Sequence, residues 1–271
     1  MKDLLKLYSF ESVHDSEDER AICDWICKWL DAHNITGYKR FNNNIFKKGK
    51  SNIILSAHLD QVKTGGKAIK FFMNNKGVIT AYNKYWARTS LGADDKNGIW
   101  IILKALEVYG NDISFIISEG EEVGLVGIHM LDTKDILRNM LSEHDTICLV
   151  LDRKGNNEIL DTGSCCKYCK TLAQDLCNFL GGAWRVGSGT CSDTQVLSEY
   201  CESVNISVGY SGAHSSMEET DYISLCSIKD DILSVLESFK HYNTPVSVYK
   251  TLTSTSYSNS KEKYHGGFYR Y

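Results

Sequence analysis

The segment SNIILSAHLD, residues 51–60, sets the architecture of the chain. Ile53, Ile54 and Leu55 begin a continuous apolar run that is too short for an ordinary helix and rich in β-branched residues. Such a run reads as a strand buried on both faces. His58 and Asp60 sit where that strand ends. ISFIIS (113–118) and TICLVLD (146–152) repeat the pattern, and SVNISVG (203–209) is a weaker version of it. GVITAY (77–82) reads as a lesser strand, in a hairpin with AIKFFMN (68–74).

Helical patterns separate these runs. SEDERAICDWICKWLDAH (16–33) opens with Ser16 and Glu19 at capping-box spacing, and an apolar face follows through Ile22, Trp25, Ile26, Trp29 and Leu30. NGIWIILKALEVYG (97–110) is apolar on nearly every side, so it reads as a buried helix closed by Gly110. Further helical patterns lie at 165–180 and 192–201, and a last one runs through Leu225, Ile228, Ile232, Val235, Leu236 and Phe239. Continuous apolar strands alternating with helices predict an α/β fold. Its central sheet is mixed, mostly parallel and covered by helices on both faces. Such sheets bind ligands at the carboxyl ends of their strands.

Composition narrows the function classes. The chain has 271 residues, 42% of them apolar, enough for a full core. A net charge of −4, with no basic block longer than FKKGK (46–50), argues against a nucleic-acid partner. No segment approaches the ~20 apolar residues needed to cross a bilayer, and the N-terminus lacks a signal-peptide pattern. The expectation is a soluble cytoplasmic protein without a membrane partner. Its ten cysteines, Cys166 and Cys169 of a CxxC included, are then reduced thiols. Residues 1–249 read as one domain, and 250–271, polar and rich in Ser and Thr, as a tail or arm.

Five polar clusters remain once this scaffold is removed: His58 with Asp60, Asp94 with Asp95, Glu121 with Glu122, Asp152, and His214 in GYSGAHSSMEET. The other histidines, His14, His33, His129, His144, His241 and His265, read as structural or solvated. Four clusters fall at the ends of core strands or at the mouth of the buried helix, where uncompensated acids would be costly. Divalent metal would compensate them. Imidazoles with carboxylates and no nearby cysteine suit zinc, with manganese or cobalt as alternatives. Two histidines and three carboxylates exceed the needs of one tetrahedral ion. They fit two ions ~3.5–4 Å apart that share a bridging carboxylate, Asp94.

The set SAHLDQV, LGADDKNG, SEGEEVGLVG, LVLDRKG and GAHSSMEET, in this order, resembles the co-catalytic zinc exopeptidases over about residues 51–225. That clan includes the zinc aminopeptidases, peptidase T and the acetylornithine-deacetylase-like amidohydrolases. The resemblance implies that His58 and Asp152 hold one zinc, that Glu122 and His214 hold the other, and that Asp94 bridges. It implies that Asp60 accepts a hydrogen bond from the His58 ring, that Glu121 is the general base, and that the Asp94–Asp95 peptide is cis. About 60 residues separate Asp152 from His214, and 36 positions separate His58 from Asp94, so neither interval has room for a lid domain. The resemblance is therefore nearest to the lidless zinc aminopeptidases. That branch usually has an aromatic residue before its last histidine, where this chain has Ala213.

Tyr210 is a candidate oxyanion donor or an ordinary core tyrosine. Asp193 either shapes the site or caps the helix after Ser192. Glu218 and Glu219 are candidates to pair with a substrate α-amino group. The expected activity is an aminopeptidase on short peptides. An N-acyl amidohydrolase of the same chemistry and a non-catalytic metal-binding module are the alternatives. The oligomeric state is open.

Overall fold

The computed structural model describes residues 1–141, 146–161, 171–189 and 192–238. The chain starts with α1 (Lys2–Tyr8) and α2 (Glu17–Ala32), followed by the hairpin β1 (Lys39–Phe41) and β2 (Asn44–Lys47) and the core strand β3 (Ile53–His58). Next come β4 (Lys70–Met73), β5 (Val78–Tyr82) and β6 (Arg88–Thr89), then α3 (Ala93–Tyr109), β7 (Ser114–Ser118), α4 (Val126–Thr133) and α5 (Ile136–Leu141). The rest is β8 (Ile147–Arg153), β9 (Glu158–Asp161), α6 (Leu172–Leu180), β10 (Arg185–Gly187), α7 (Thr194–Leu197), β11 (Glu202–Ser207), β12 (Tyr210–Ser211), β13 (Glu219–Asp221) and α8 (Tyr222–Ser238).

The main sheet has the order β1-β2-β7-β3-β8-β11-β9-β10. Its centre is parallel: β3 pairs with β7 and with β8, and β8 pairs with β11. Antiparallel pairing is confined to the β1–β2 and β2–β7 side and to β9 against β11. All of β3 and β7 is buried, as continuous apolar strands require. Ile54, Ile116, Cys148 and Val150 pack with α4, α5 and α7. α3 lies against β3 and β8, with α1 and α8 packed on it. Both faces are covered, and the sheet is the mixed, mostly parallel one expected.

Local chemistry explains the main elements. The Ser16 hydroxyl accepts from the Glu19 amide at 3.1 Å and starts α2, with three acids in its first turn. The other half of the expected capping box is absent. The Glu19 carboxylate accepts instead from the Asp15 amide at 2.8 Å and from the Asn43 side chain. Gly92, at φ +61, lies in the left-handed region and turns the chain into α3. Gly98 must lack a side chain, because a methyl there would sit 2.1 Å from the Leu151 carbonyl of β8. Lys96 is fully buried, and its Nζ donates to the Phe10 carbonyl at 2.6 Å and to Gln61. Burial pushes its pKa down to about 7.

The interval from His58 to Asp94 forms the expected hairpin, β4 with β5, within a small antiparallel sheet ordered β12-β13-β5-β4. Two expectations shift. The helix read at 192–201 is one short turn, α7, because the chain reaches β11 by Glu202. The 165–180 pattern is described only from 171, where α6 occupies Leu172–Leu180. The CxxC, the 250–271 segment, His144, His241 and His265 lie outside the described residues. Among the described residues no helix is long and apolar enough to cross a membrane.

Candidate metal centre and active site

The strand order brings the carboxyl ends of β3, β7 and β8 side by side, and each carries part of the site. His58, the last residue of β3, is 2% exposed. Its Nε2 lies 3.2 Å from Asp94 Oδ1 and 3.5 Å from Asp152 Oδ1. Its Nδ1 lies 3.0 Å from the Asp60 main-chain carbonyl and 3.4 Å from the Asp60 carboxylate. A carbonyl can only accept, so Nδ1 carries the proton. Nε2 of the neutral ring then presents a lone pair to two carboxylates, a contact that needs a cation or a second proton between them. Without a metal the proton supplies it. Burial opposes charge on the ring, but Asp152, Asp60 and Asp94 hold its pKa well above the usual histidine value.

His214 approaches from the β12–β13 loop. Its Nε2 lies 2.7 Å from Glu122 Oε1 and 3.3 Å from Asp94 Oδ2. Those two carboxylates raise its pKa to about 10. Asp94 therefore turns one oxygen to His58 and the other to His214. Burial works against its ionisation, but the hydrogen bonds of His214 and His58 hold its carboxyl well below the usual range. Asp152 has the opposite fate. Burial and then the Asp94 charge push it well up.

Glu121 and Glu122 follow β7. The Asp60 carboxylate accepts from both their amides, at 2.9 and 3.0 Å, and so ties the end of β3 to the acidic loop. Burial raises Glu121 to about 7, with Asp193, Glu122 and Asp94 adding to the rise and His58 opposing it. Three groups of side chains place one potential ligand atom each within 4.8 Å of one another: His58, Asp95 and Asp152; His58, Glu121 and Glu122; and Asp94, Glu122 and His214. A cavity of about 450 Å³ opens onto Asp94, Glu121, Glu122, Asp152 and His214.

Adjacent acids divide their work. The Asp94–Asp95 peptide is cis. Asp95 Oδ2 accepts from the His58 amide at 3.2 Å and Oδ1 from the Gly98 amide at 3.0 Å, and Asp95 is not among the cavity-lining residues. Proximity groups Asp95 with His58 and Asp152, but its oxygens are held by backbone, so we read it as a support. Glu119, in the same SEGEE motif as Glu121, likewise faces Asn43 and Asn44.

Asp193 occupies the position before α7 without capping it. Its Oδ2 accepts from Ser118 at 2.6 Å, its Oδ1 is buried without a partner among the described residues, and burial raises it to about 6. The Tyr210 hydroxyl donates to the Asp152 carbonyl at 3.0 Å and so braces the end of β8.

The structure also assigns Glu218 and Glu219 differently from the sequence reading. Glu218 is 1% exposed and accepts from the Ser90 hydroxyl, the Gly92 amide at 2.7 Å and the Asp94 amide at 3.1 Å. Glu219 pairs with Arg88 at 2.8 Å. Neither lines the cavity, so neither is placed to meet a substrate amine. Sequence reasoning missed Glu218 as a clamp on Asp94, and also Asn205, whose Oδ1 accepts from the Asp152 amide at 3.2 Å. Glu218 lies within GAHSSMEET, but nothing in that segment ties it to the amides of Gly92 and Asp94, and no local motif marks Asn205.

No protein-family model matches the chain. Among curated proteins, the uncharacterized protein YqjE of Bacillus subtilis is 32% identical over 139 residues, which is 48% of this chain and 34% of that one. The match thus spans about a third of that relative's length. Among solved structures, a tripeptidase from Staphylococcus aureus superposes with a TM-score of 0.69 at 16% identity, over 88% of this chain and 97% of that one. The aminopeptidase PepT from Bacillus cereus gives a TM-score of 0.68 at 16% identity and the same coverage. This chain has the fold of those peptidases.

Proposed function

We propose that the chain is a metal-dependent aminopeptidase of the co-catalytic zinc exopeptidase clan, acting on short peptides. The observation that carries this reading is Asp94, whose two oxygens reach the His58–Asp152 group on one side and the His214–Glu122 group on the other. That donor set fits two divalent ions, with zinc preferred because the donors are imidazole and carboxylate without thiolate. His58 and Asp152 would hold one, Glu122 and His214 the other, and Asp94 both. Bound there, the ions would supply Lewis acidity toward the scissile carbonyl and toward water.

The chain's own residues do the remainder. Glu121 lines the same cavity, and its backbone is fixed by Asp60. It takes a proton from the attacking water and delivers it to the leaving amine. Burial, with Asp193, Glu122 and Asp94, raises its pKa to about 7, a position that suits a group which takes and returns a proton near neutral pH. Asp60 holds the His58 tautomer and the Glu121–Glu122 backbone together.

An N-acyl amino acid substrate is the second reading, favoured because Glu218 and Glu219 are both engaged away from the cavity and, among the described residues, no acid beyond the proposed metal donors and Glu121 lines it. Dipeptides and N-acetyl amino acids, each assayed with and without chelator, separate the two. Chelator-sensitive cleavage of dipeptides alone supports the aminopeptidase, cleavage of N-acetyl amino acids alone supports the deacylase, and turnover that survives full metal removal refutes both.

Metal uptake should also be linked to protons. In the metal-free protein both imidazoles carry a proton that a metal must displace, and Glu121 shares one near pH 7. Raised histidine pKa values mean that lowering the pH favours the protonated, metal-free form. Zinc affinity is therefore expected to rise from pH 6 to pH 8, with more than one proton released per chain at pH 7. Calorimetry in buffers of different ionisation enthalpy measures this, and a proton count of zero would remove both histidines from the ligand set.

A further inference from the structure

One wall of the cavity is basic. Arg153 and Lys154 directly follow Asp152, and all three line the same space. Successive residues of a strand normally point to opposite faces. Here β8 is ending, and its pairing with β11 shifts register between Asn205 and Ser207, opposite Arg153. Such irregularities re-aim side chains at the edges of sites. The backbone is held at this point: the Arg153 carbonyl accepts from the Val208 amide at 2.8 Å, and the Lys154 carbonyl from the Ser207 hydroxyl at 2.9 Å.

The positive charge of this wall is not cancelled. Arg153 donates through Nε and Nη2 to Glu158 Oε2, at 3.1 and 2.9 Å, while its Nη1 has no partner among the described residues. Arg185 donates to the other Glu158 oxygen at 2.9 Å. Two guanidiniums on one carboxylate leave a net charge of +1, and Glu158 fixes the orientation of Arg153. Lys154 is exposed and forms no ion pair among the described residues, which adds a second positive charge. Nothing in the proposed chemistry uses either cation.

We propose that Arg153 and Lys154 form a carboxylate subsite, so that the substrate carries a carboxylate close to the scissile amide. This rests on the hydrolase reading of the same site and names its substrate class: dipeptides, other very short peptides or N-acyl amino acids with a free carboxylate. One residue of extended chain spans ~3.3–3.6 Å, and a cavity of about 450 Å³ lies within the size range of small-ligand sites. A long peptide would place its terminal carboxylate well outside it. The same contact could be made by the C-terminal carboxylate or by an acidic side chain next to the bond.

The test compares three substrates that share X, the acyl or aminoacyl group cleaved fastest in the panel above: X-Gly, X-Gly-amide and X-Asp-amide. The wild-type protein is expected to prefer X-Gly to X-Gly-amide by on the order of tenfold or more in kcat/KM, mainly through KM. X-Asp-amide matching X-Gly would show that either carboxylate fills the subsite, X-Asp-amide matching X-Gly-amide would confine it to the chain terminus, and X-Asp-amide faster than an equal X-Gly and X-Gly-amide would assign it to a side chain. The preference for X-Gly should fall toward unity in Lys154→Met and in Arg153→Met. Lys154 is exposed, so its variant keeps the test open if loss of the Arg153–Glu158 pair impairs folding. Equal rates on all three substrates in the wild type overturn the subsite and leave the hydrolase standing. So does an unchanged preference in Lys154→Met and in any Arg153→Met protein that folds. No turnover of any of the three overturns both.

Discussion

Glu121→Gln is expected to lower kcat by about 10²–10⁴-fold while leaving the metal content of the protein unchanged. Glutamine keeps the size and the hydrogen-bonding oxygen of glutamate but cannot take a proton near neutral pH. The surroundings of Glu121 suit a base: it is largely buried, with a pKa raised to about 7 in the absence of metal, and its amide is anchored on Asp60. Its neighbour Glu122 has a carboxylate oxygen 2.7 Å from His214, and Glu121 shows no such contact. Steady-state kinetics together with elemental analysis decide the matter. Loss of metal along with activity would make Glu121 a ligand, because it also lies within ligand range of His58 and Glu122. Unchanged kcat would end its assignment as the base.

Glu218→Ala should be the most damaging substitution outside the cavity. The side chain is 1% exposed, and its two oxygens gather the Ser90 hydroxyl and the amides of Gly92 and Asp94. Alanine would leave the Ser90 hydroxyl and the Asp94 amide without their acceptor, at about 1–3 kcal/mol each before relaxation, while the Gly92 amide keeps its 2.9 Å bond to the Ser90 hydroxyl oxygen. The expected net loss is about 3–5 kcal/mol of unfolding free energy, read from urea titration. The same clamp fixes the backbone of Asp94, so zinc affinity should fall by about 10–100-fold, as for other supports of metal ligands. Glu218→Gln retains one acceptor oxygen and should lose less of both. A Glu218→Ala protein with wild-type stability and zinc affinity would show that the Asp94 loop is held by something else.

Much of this molecule is legible without coordinates. The strands at 53–58, 114–118 and 147–153 lie where their apolar runs place them, and His58, Glu121, Glu122 and Asp152 sit at or beside their ends. Less legible were the short segments. α1 and the β1–β2 hairpin carry too few residues for a periodic signal, and the pattern at 192–201 yields only α7. The candidate site shows the same division. The acids and histidines were singled out by type and position. Their separate uses, Asp94 in the cavity against Asp95 on the amides of His58 and Gly98, or Glu121 against Glu119, were not.

By itself the sequence determined the order of buried strands and helices and the pool of ionisable residues near the strand ends. Apolar periodicity and residue type are properties of neighbours along the chain, so they survive without coordinates. Only the tertiary structure decided which oxygens share a space, because that depends on the β7-β3-β8 order and on contacts such as Glu218 to Asp94, 124 residues apart. It also turned Glu218 from a candidate for substrate into a buried clamp, and it set Arg153 and Lys154 in the same cavity as Asp94, Glu122, Asp152 and His214. Carboxylates compete for backbone amides as readily as for metals or substrates, and burial together with the donors in reach selects among those partners.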